Sequence, residues 1–407
     1  MNQPVTLAAP GALPRHLPVA ARTLLQLLAR LHTGTLHLRT PEGPSLTLGT
    51  GAEPHASWHL HDWEVCAEVL RSGDVGLGET FMAGRWSSPD LSALLRLALL
   101  NRDALEAAVY GSVWGRLAYQ LRHWLRHNSR RGSRRNIQAH YDLGNAFYRL
   151  WLDETMNYSS AWFNGQPQLS LAQAQHAKMQ RALAACGVRP GQRLLEIGCG
   201  WGAVAEQAAR QGVQVTGVTL SHEQLAFAQE RLRHHGLAHQ ADLRLQDYRD
   251  MADAPFDAIV SIEMFEAVGY AYWPTFFRTL KRQLRPGGRA CIQSITLRDE
   301  LFERYRRSTD FIQQYVFPGG LLPSPSAFRA AAAQAGLRVE AELAFGPDYA
   351  ETLRRWRQAF QRQRMEVSAQ GFGPEFQRLW EFYLAYCEAA FDAGTINVMQ
   401  FTLAHAD

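Results

Sequence analysis

Three glycines at alternate positions follow a short apolar run in the segment LLEIGCGWG at 194–202. Gly198, Gly200 and Gly202 lie between that run and a helical pattern over 203–210. This order predicts a strand, a tight turn and the start of a helix, which is the first βα unit of a nucleotide-binding sheet. Because glycine lets the backbone approach a ligand closely, we expect the turn to bind a dinucleotide or the methionine part of S-adenosylmethionine (SAM).

The end of the second predicted strand distinguishes between these two ligands. A dinucleotide dehydrogenase places Asp or Glu there to bind the ribose hydroxyls, but this chain has Thr219. We therefore expect Thr219 and Gln224 to bind the ribose, and Gln246 and Asp247 of the next segment to hold the adenine edge. An ordinary helix N-cap is the alternative role for Thr219 and Ser221.

Composition predicts a folded protein with one large or two moderate domains. The chain has 407 residues, of which 46% are apolar. It contains no apolar run of the roughly 18 residues that a transmembrane helix needs, and its N-terminus lacks a signal-peptide pattern, so we expect a cytoplasmic protein. The five cysteines are widely spaced without a CxxC pair, which argues against a disulfide framework and against a zinc site.

Residues 1–115 are expected to form a smaller α+β domain. Leucines alternate with polar residues around 36–48, which predicts a small antiparallel sheet. A helix is predicted over 63–71, a glycine-bounded turn over 76–86 and another helix over 91–100.

Residues 116–135 form a basic segment, which we interpret as a linker helix. Its arginines are Arg116, Arg122, Arg126, Arg130, Arg131, Arg134 and Arg135. Aromatic residues such as Trp124 interleave with them, as they do at membrane interfaces. The pattern alone leaves three interpretations open: a solvated helix between domains, a surface for anionic lipid, or a nucleic-acid surface.

Residues 136–407 alternate between strand and helix patterns, which predicts a doubly wound α/β domain. The predicted strands and helices are, in chain order, strand 194–197, helix 203–210, strand 213–218, helix 223–232, strands 243–245 and 258–262, helix 273–284 and strand 290–295. The tail at 351–393 is again helical.

Seven segments in this order resemble the cyclopropane-fatty-acyl-phospholipid synthase family of SAM-dependent methyltransferases. They are NIQAHYDLGNAFYRLWLDETMNYSSAWF at 136–163, LEIGCGWG at 195–202, GVTLSHEQ at 217–224, QDYRD at 246–250, SIEMFEAVG at 261–269, YVFPGGLLPSP at 315–325 and FGPDYAETLRRW at 345–356. The resemblance implies a Rossmann-like methyltransferase fold for 136–407. It also implies that SAM is the co-substrate, bound by the glycine loop, Thr219, Gln224, Tyr158 and Ser159.

The resemblance also implies a site for a bicarbonate ion that acts as the base. The positions that match its ligands in the family are Ser160, Glu266, Gln293, Ile295 and Tyr349. Serine and glutamine here replace the cysteine and histidine of typical members. Because an amide cannot titrate, ring closure is a hypothesis, and a methyl- or methylene-branched chain is the alternative product.

The implied substrate is the cis double bond of an acyl chain in membrane phospholipid. Such a substrate favours anionic lipid over nucleic acid as the partner of residues 116–135, and it predicts a cytoplasmic protein bound peripherally to the inner face of the cell membrane. The family counterpart of the N-terminal domain suggests that residues 1–115 assist lipid docking or dimer assembly, and a homodimer is the expected assembly. A non-catalytic lipid-binding protein is the remote alternative, and SAM binding would exclude it.

Overall fold

The computed structural model describes residues 5–6, 17–109 and 143–406. Contacts divide the chain into two compact units. The first contains Met1–His123, Ser308–Val316 and Phe360–Thr395, and the second contains Trp124–Arg307, Phe317–Ala359 and Ile396–Asp407. The basic segment 116–135 lies outside the described residues.

The strands and helices of the described residues are numbered in chain order. The strands are β1 (Val5–Thr6), β2 (Thr35–Arg39), β3 (Ser45–Gly49), β4 (His55–Leu60), β5 (Trp86–Ser87), β6 (Arg193–Ile197), β7 (Gln214–Thr219), β8 (Ala241–Leu245), β9 (Phe256–Ile262), β10 (Leu284–Leu297), β11 (Leu337–Ala344) and β12 (Ile396–His405). The helices are α1 (Val19–Leu28), α2 (Glu64–Met82), α3 (Leu91–Leu100), α4 (Arg102–Val109), α5 (Asn145–Tyr148), α6 (Leu171–Cys186), α7 (Ala203–Arg210), α8 (His222–His234), α9 (Trp273–Gln283), α10 (Asp299–Tyr305), α11 (Phe311–Tyr315), α12 (Pro325–Gln334), α13 (Gly346–Arg362), α14 (Arg364–Ala369) and α15 (Pro374–Asp392).

The first unit contains a five-stranded sheet of order β1-β3-β2-β4-β5. The predicted small sheet is present, but it is not wholly antiparallel, because β2 pairs antiparallel with β3 and parallel with β4. The backbone N–H of Thr35 donates to the carbonyl of Pro54 at 2.9 Å. The loop after β3 therefore returns to the beginning of β2, and β4 runs in the same direction as β2.

Helix α2 extends through the segment for which we predicted a turn. It is kinked at Gly73 (φ +62°) and continues to Met82. Gly76 and Gly78 serve close packing rather than a turn: a Cβ atom on Gly76 would collide with the carbonyl of Glu68, and one on Gly78 with the ring of Phe311. The prediction of a turn over 76–86 was wrong for residues 76–82, because their glycines were interpreted as helix breakers, and the turn is confined to residues 83–85.

Two stretches of the segment 136–407 pack with these N-terminal elements. The Phe382 ring of α15 lies 5.7 Å from that of Phe81, measured between centroids. The carboxylate of Asp74 accepts from the backbone N–H of Phe311 at 3.1 Å and from the hydroxyl of Tyr386 at 2.9 Å. The first unit is therefore built from three separate parts of the sequence.

The second unit is a seven-stranded sheet of order β11-β12-β10-β9-β6-β7-β8. Strands β6 to β10 pair in parallel, as the doubly wound prediction requires. The sheet is completed by β12, which is antiparallel to both β10 and β11. Two apolar clusters bury the sheet residues. One includes Phe265 and Leu280, and the other includes Met179 and Val204.

The carboxyl ends of the parallel strands lie at one edge of this sheet, which is where open α/β sheets bind ligands. The ends of these five parallel strands place Gly198, Thr219, Gln246, Glu266 and Gln293 at that edge. Within the described part of the chain, no helix has the length and apolarity to cross a membrane.

Candidate active site

The glycine loop after β6 has the backbone conformation that its sequence predicts. Gly198, Gly200 and Gly202 have φ values of +84°, +49° and +81°. A Cβ atom on Gly198 would lie 2.9 Å from the Met264 side chain, and one on Gly202 would lie 2.8 Å from Ala228. A Cβ on Gly200 would meet nothing within 4 Å, so this glycine faces open space, as the predicted close approach of a ligand requires.

The end of β7 places Thr219 and Gln224 together. Both side chains are buried, and the Thr219 hydroxyl donates to Oε1 of Gln224 at 3.0 Å. Ser221 is the N-cap of α8 and accepts from the backbone N–H of Gln224 at 3.3 Å. The cap role considered for Thr219 and Ser221 thus belongs to Ser221, and Thr219 with Gln224 lies where a ribose can bind.

Gln246 and Asp247 follow β8 at the same edge. The backbone N–H of Gln246 donates to the carbonyl of Thr219 at 3.1 Å. The Asp247 carboxylate pairs with the Arg249 guanidinium at 2.5 Å. The residues predicted to bind adenine are therefore next to the pair predicted to bind the ribose, and Arg249 holds the Asp247 carboxylate in place.

Tyr158 and Ser159 precede the catalytic positions in the chain and have different surroundings. The ring of Tyr158 lies among aromatic rings, 5.4 Å from Trp151 and 5.6 Å from Trp356. The hydroxyl of Ser159 accepts from Nζ of Lys178 at 2.6 Å. Lys178 is fully buried, and burial lowers the pKa of its amine to about 8.

Glu266 lies just beyond β9 in a short 3₁₀ turn. Its Oε1 accepts from the backbone N–H of Ile295 at 2.5 Å and from the Ser294 hydroxyl at 3.0 Å. Its Oε2 is inaccessible to solvent and has no hydrogen-bond partner among the described residues. Burial, followed by the nearby charge of Glu263, raises the pKa of Glu266 to about 8, which favours the neutral form of its carboxyl group.

Glu263 is a site residue that our sequence prediction missed. One carboxylate oxygen, Oε1, accepts from the backbone N–H of Ser160 at 2.9 Å and from Nε2 of Gln293 at 2.7 Å. The other, Oε2, accepts from the Tyr349 hydroxyl at 2.6 Å. Three of the five positions that we assigned to a bicarbonate site therefore converge on a carboxylate of the chain itself.

Two opposing effects determine the pKa of Glu263. Burial raises it, whereas the hydrogen bond from Tyr349, the charge of Lys178 and the donors from Ser160 and Gln293 lower it. Of the two neighbouring acids, Glu263 is the one whose charged form is stabilised by donors on both oxygens. We therefore assign the negative charge of the pair to Glu263 and the proton to Glu266.

A chain of amides fixes the orientation of Gln293. Gln293 on β10 is paired across the strands with Gln400 on β12. Nε2 of Gln400 donates to Oε1 of Gln293 at 2.9 Å, and Oε1 of Gln400 in turn accepts from the guanidinium of Arg181. Because Arg181 can only donate, each amide in the chain is oriented so that Gln293 presents its NH₂ group to Glu263.

Helix α13 holds the other side of the site. Tyr349 lies in its first turn, and the hydroxyl of Thr352 one turn later accepts from the backbone N–H of Ala161 at 3.1 Å. The Asp348 carboxylate accepts from the backbone N–H of Phe163 at 2.8 Å. The Ser160 hydroxyl donates to the Ala161 carbonyl at 2.8 Å, so Ser160 contributes its backbone and not its side chain to Glu263.

The comparisons with known proteins identify the family. The sequence profile described as mycolic acid cyclopropane synthetase matches residues 128–401. The chain belongs to this family. As a member of the mycolic acid cyclopropane synthetase family, it is a SAM-dependent methyltransferase that acts on lipid acyl chains.

Two curated relatives match most of this family member. It is 40% identical over 396 residues to the tuberculostearic acid methyltransferase UfaA1 of Mycobacterium tuberculosis, covering 95% of this chain and 92% of the relative. It is 35% identical over 338 residues to the cyclopropane-fatty-acyl-phospholipid synthase of Escherichia coli, covering 82% and 83% of the two chains.

Solved structures support the methyltransferase fold. The cyclopropane synthase MmaA2 from Mycobacterium tuberculosis superposes with a TM-score of 0.62 at 34% identity, over 67% of this chain and 98% of that one. The mycolic acid cyclopropane synthase CmaA1 complexed with SAH and CTAB gives the same TM-score at 34% identity, over 66% of this chain and 97% of that one. The predicted doubly wound Rossmann-like methyltransferase fold is therefore confirmed.

The two ligands that the family resemblance implies differ in how well they fit this chain. The open space at Gly200 and the Thr219–Gln224 pair suit SAM, which when bound supplies an electrophilic methyl group on sulfur. Bicarbonate does not fit the donors present. Those of Ser160, Gln293 and Tyr349 are already engaged by Glu263, and a further anion there would be repelled by its charge.

Proposed function

We propose that this enzyme transfers the methyl carbon of SAM to the cis double bond of an unsaturated acyl chain in membrane phospholipid, giving a cyclopropane fatty acid. One observation carries the proposal: the glycine loop adjoins the buried carboxyl groups. Met264, whose side chain packs against Gly198, lies between Glu263 and Glu266 in the chain. A methyl donor on the loop and a proton acceptor beside it are the two components that the reaction needs.

The surroundings of the site suit a weak nucleophile and a cationic product. An alkene attacks a methyl group only if it is held in line and water is excluded. The rings of Tyr158, Trp151 and Trp356 form an aromatic wall, which stabilises positive charge on the acyl chain. Removal of a proton by a base then completes the reaction.

A second product is favoured by a specific comparison. The relative that matches 95% of this chain is named for tuberculostearic acid, a methyl-branched fatty acid. If the proton leaves from a chain carbon rather than from the added methyl group, the product is a methyl-branched unsaturated chain without a ring. If a hydride first moves from the methyl-bearing carbon to the cationic carbon, loss of a proton from the added methyl group gives a methylene-branched chain.

The test is incubation of the purified enzyme with methyl-labelled SAM and phospholipid vesicles that contain cis-monounsaturated chains. We expect each modified acyl chain to gain one CH₂ by mass, with upfield ring protons in the NMR spectrum. Olefinic or exomethylene protons would identify the branched product instead. Vesicles of saturated phospholipid are the matched control, and equal labelling of both vesicle types would contradict the proposal.

We further infer that the enzyme works in the cytoplasm, bound peripherally to the inner face of the cell membrane through residues 116–135, with a homodimer as its expected assembly. A phospholipid substrate supports this inference, because the enzyme must reach acyl chains inside a bilayer. Sedimentation with anionic vesicles tests it: replacing Arg130 and Arg131 by Gln should weaken binding, whereas replacing Arg233 and Arg307 on the second unit should not.

A further inference from the structure

We propose that the carboxylate of Glu263, and not a bound bicarbonate ion, is the proton acceptor of this enzyme. The inference rests on the proposed function, since it assigns the base for the second half of that reaction. It concerns Glu263, which is not among the residues that the sequence motifs predicted for the site. Four observations support it.

The first observation is the set of donors around Glu263. The backbone of Ser160, the amide of Gln293 and the hydroxyl of Tyr349 lie within 2.6–2.9 Å of its two oxygens. These are the positions that the family resemblance assigns to the anion. A carboxylate and a bicarbonate ion present the same pair of oxygens, so the side chain satisfies donors that a free anion would need.

The second observation is the backbone of Glu263, which has φ +49° although the residue is not glycine. A non-glycine residue in this region is uncommon and conformationally unfavourable, and such residues cluster at functional sites. The unfavourable backbone is held by a further hydrogen bond, from the N–H of Glu263 to the carbonyl of Gln293 at 2.8 Å. The fold thus holds this one side chain in place at a conformational cost.

The third observation is the charge arrangement. Lys178 is the buried amine whose charge acts on Glu263, and its Nζ also donates to Ser159 and to Asn157. Glu266 lies close enough to feel the charge of Glu263 and holds its own proton. Among the described residues, Lys178 is the buried cation whose charge acts on Glu263, and a second free anion in this space would have to share it. One fixed carboxylate therefore suits the site better than a carboxylate and an ion.

The fourth observation is the relay of Arg181, Gln400 and Gln293, which is oriented toward an acceptor. Gln293 can only donate to Glu263, and it cannot compete for the proton that Glu263 accepts. The replacement of histidine by glutamine, which left ring closure as a hypothesis, is consistent with a base that belongs to the chain.

The proposed reaction consists of carbon–carbon bond formation followed by proton loss. The π electrons of the alkene form a bond to the methyl carbon as the carbon–sulfur bond breaks, and this leaves a positive charge on the acyl chain. Glu263 then accepts a proton from the added methyl group or from a neighbouring carbon, and the electron pair of that C–H bond closes the ring or forms a double bond. The carboxyl group releases the proton to water before the next turnover.

The experiment compares the wild type with Glu263→Gln and Glu263→Gly in CO₂-free buffer, with and without added bicarbonate. We expect the wild-type rate on unsaturated phospholipid vesicles to be independent of bicarbonate, and the Gln variant to lose about 100-fold or more, the usual contribution of a general base. Glycine suits the positive φ and opens space for an ion, so the Gly variant should regain turnover with bicarbonate. Glu303→Gln, at an exposed ion pair, is the matched control.

Calorimetric titration with bicarbonate gives a readout that does not need the lipid reaction. We expect no binding to the wild type and binding to Glu263→Gly, while both bind SAM. Bicarbonate binding to the wild type, stimulation of its turnover by bicarbonate, or full activity of Glu263→Gly without bicarbonate would each overturn the inference. A wild type that modifies no phospholipid would instead contradict the proposed function, and the calorimetric result would still decide the inference.

Discussion

Removing the Tyr349 hydroxyl should change the pH dependence of the reaction without removing the base. Tyr349 donates to Oε2 of Glu263 at 2.6 Å, and among the described residues no other donor to that oxygen remains in Tyr349→Phe. A hydrogen bond to a charged group contributes about 1.5–3 kcal/mol. Since about 1.4 kcal/mol corresponds to one pKa unit, the pKa of Glu263 should rise by about 1–2 units.

The sign of the effect on rate follows from the role of Glu263. The base must be ionised, so activity rises with pH through its pKa, and burial already places that pKa above the ordinary 4.5. Loss of the donor favours the protonated form and moves the acid limb of the profile to higher pH. Lys178 and Glu266, the other titrating groups around Glu263, keep their contacts in this variant.

The assay is the rate of S-adenosylhomocysteine release on unsaturated phospholipid vesicles across pH. Above the shifted limb, the variant and the wild type should have similar rates, because a more basic carboxylate is not a weaker base. Tyr386→Phe is the matched control, since it removes a tyrosine hydrogen bond to a different carboxylate, that of Asp74 in the first unit. An acid limb that does not move in Tyr349→Phe would show that the Tyr349 hydrogen bond does not set the pKa of the base.

Three further predictions concern other parts of the site. Gly198→Ala places a Cβ 2.9 Å from Met264 at φ +84°, so it should lower the free energy of unfolding by about 1–3 kcal/mol and weaken SAM binding in calorimetry. Gly165 also has a positive φ, but a Cβ there meets nothing within 4 Å, so Gly165→Ala should leave SAM affinity unchanged. Glu266 has a raised pKa in the folded state, so its contribution to stability is present below about pH 4.5 and is lost as the pH rises to about 8. The melting temperature of the wild type should therefore fall relative to that of Glu266→Gln across this range. Melting temperatures of the two proteins that change in parallel with pH would count against a raised pKa. Gln400→Leu leaves the Gln293 carbonyl oxygen buried without its donor, so denaturant unfolding should show that the free energy of unfolding falls by about 1–3 kcal/mol. An unchanged unfolding midpoint would mean that the amide chain does not fix Gln293.

The parallel half of the sheet was predictable because apolar runs and glycine turns alternate strongly there. Helix α7 begins and ends at the predicted residues, and β6 and β9 begin within two residues of their predicted starts. Strands β11 and β12 were missed. The pattern of β11 is largely exposed, and β12 pairs with strands far from it in sequence, so local periodicity carries little information about either.

The candidate site was predicted at the level of its positions but not of its contacts. The family resemblance directed attention to Gln293 and Tyr349, which both contact Glu263. It named a single glutamate, however, and Glu263 lies three residues before that one in the same motif. A second acid after β9 was the available signal, because strand ends at this edge carry chemistry. The positive φ of Glu263 depends on its tertiary contacts and could not be inferred from its residue type.

The replacement of the family's histidine by Gln293, which left ring closure as a hypothesis, is explained once Glu263 is included in the site. A diffusible anion must be captured, and a histidine that can become positively charged helps to hold it. A carboxylate on the chain needs no capture, so a neutral donor of fixed polarity is sufficient, and Gln293 supplies one through Gln400 and Arg181. A histidine at 293 would add a second group able to accept the proton that Glu263 removes. The glutamine is therefore better matched to an internal base than the histidine would be, and we expect the two residues to be functionally interdependent.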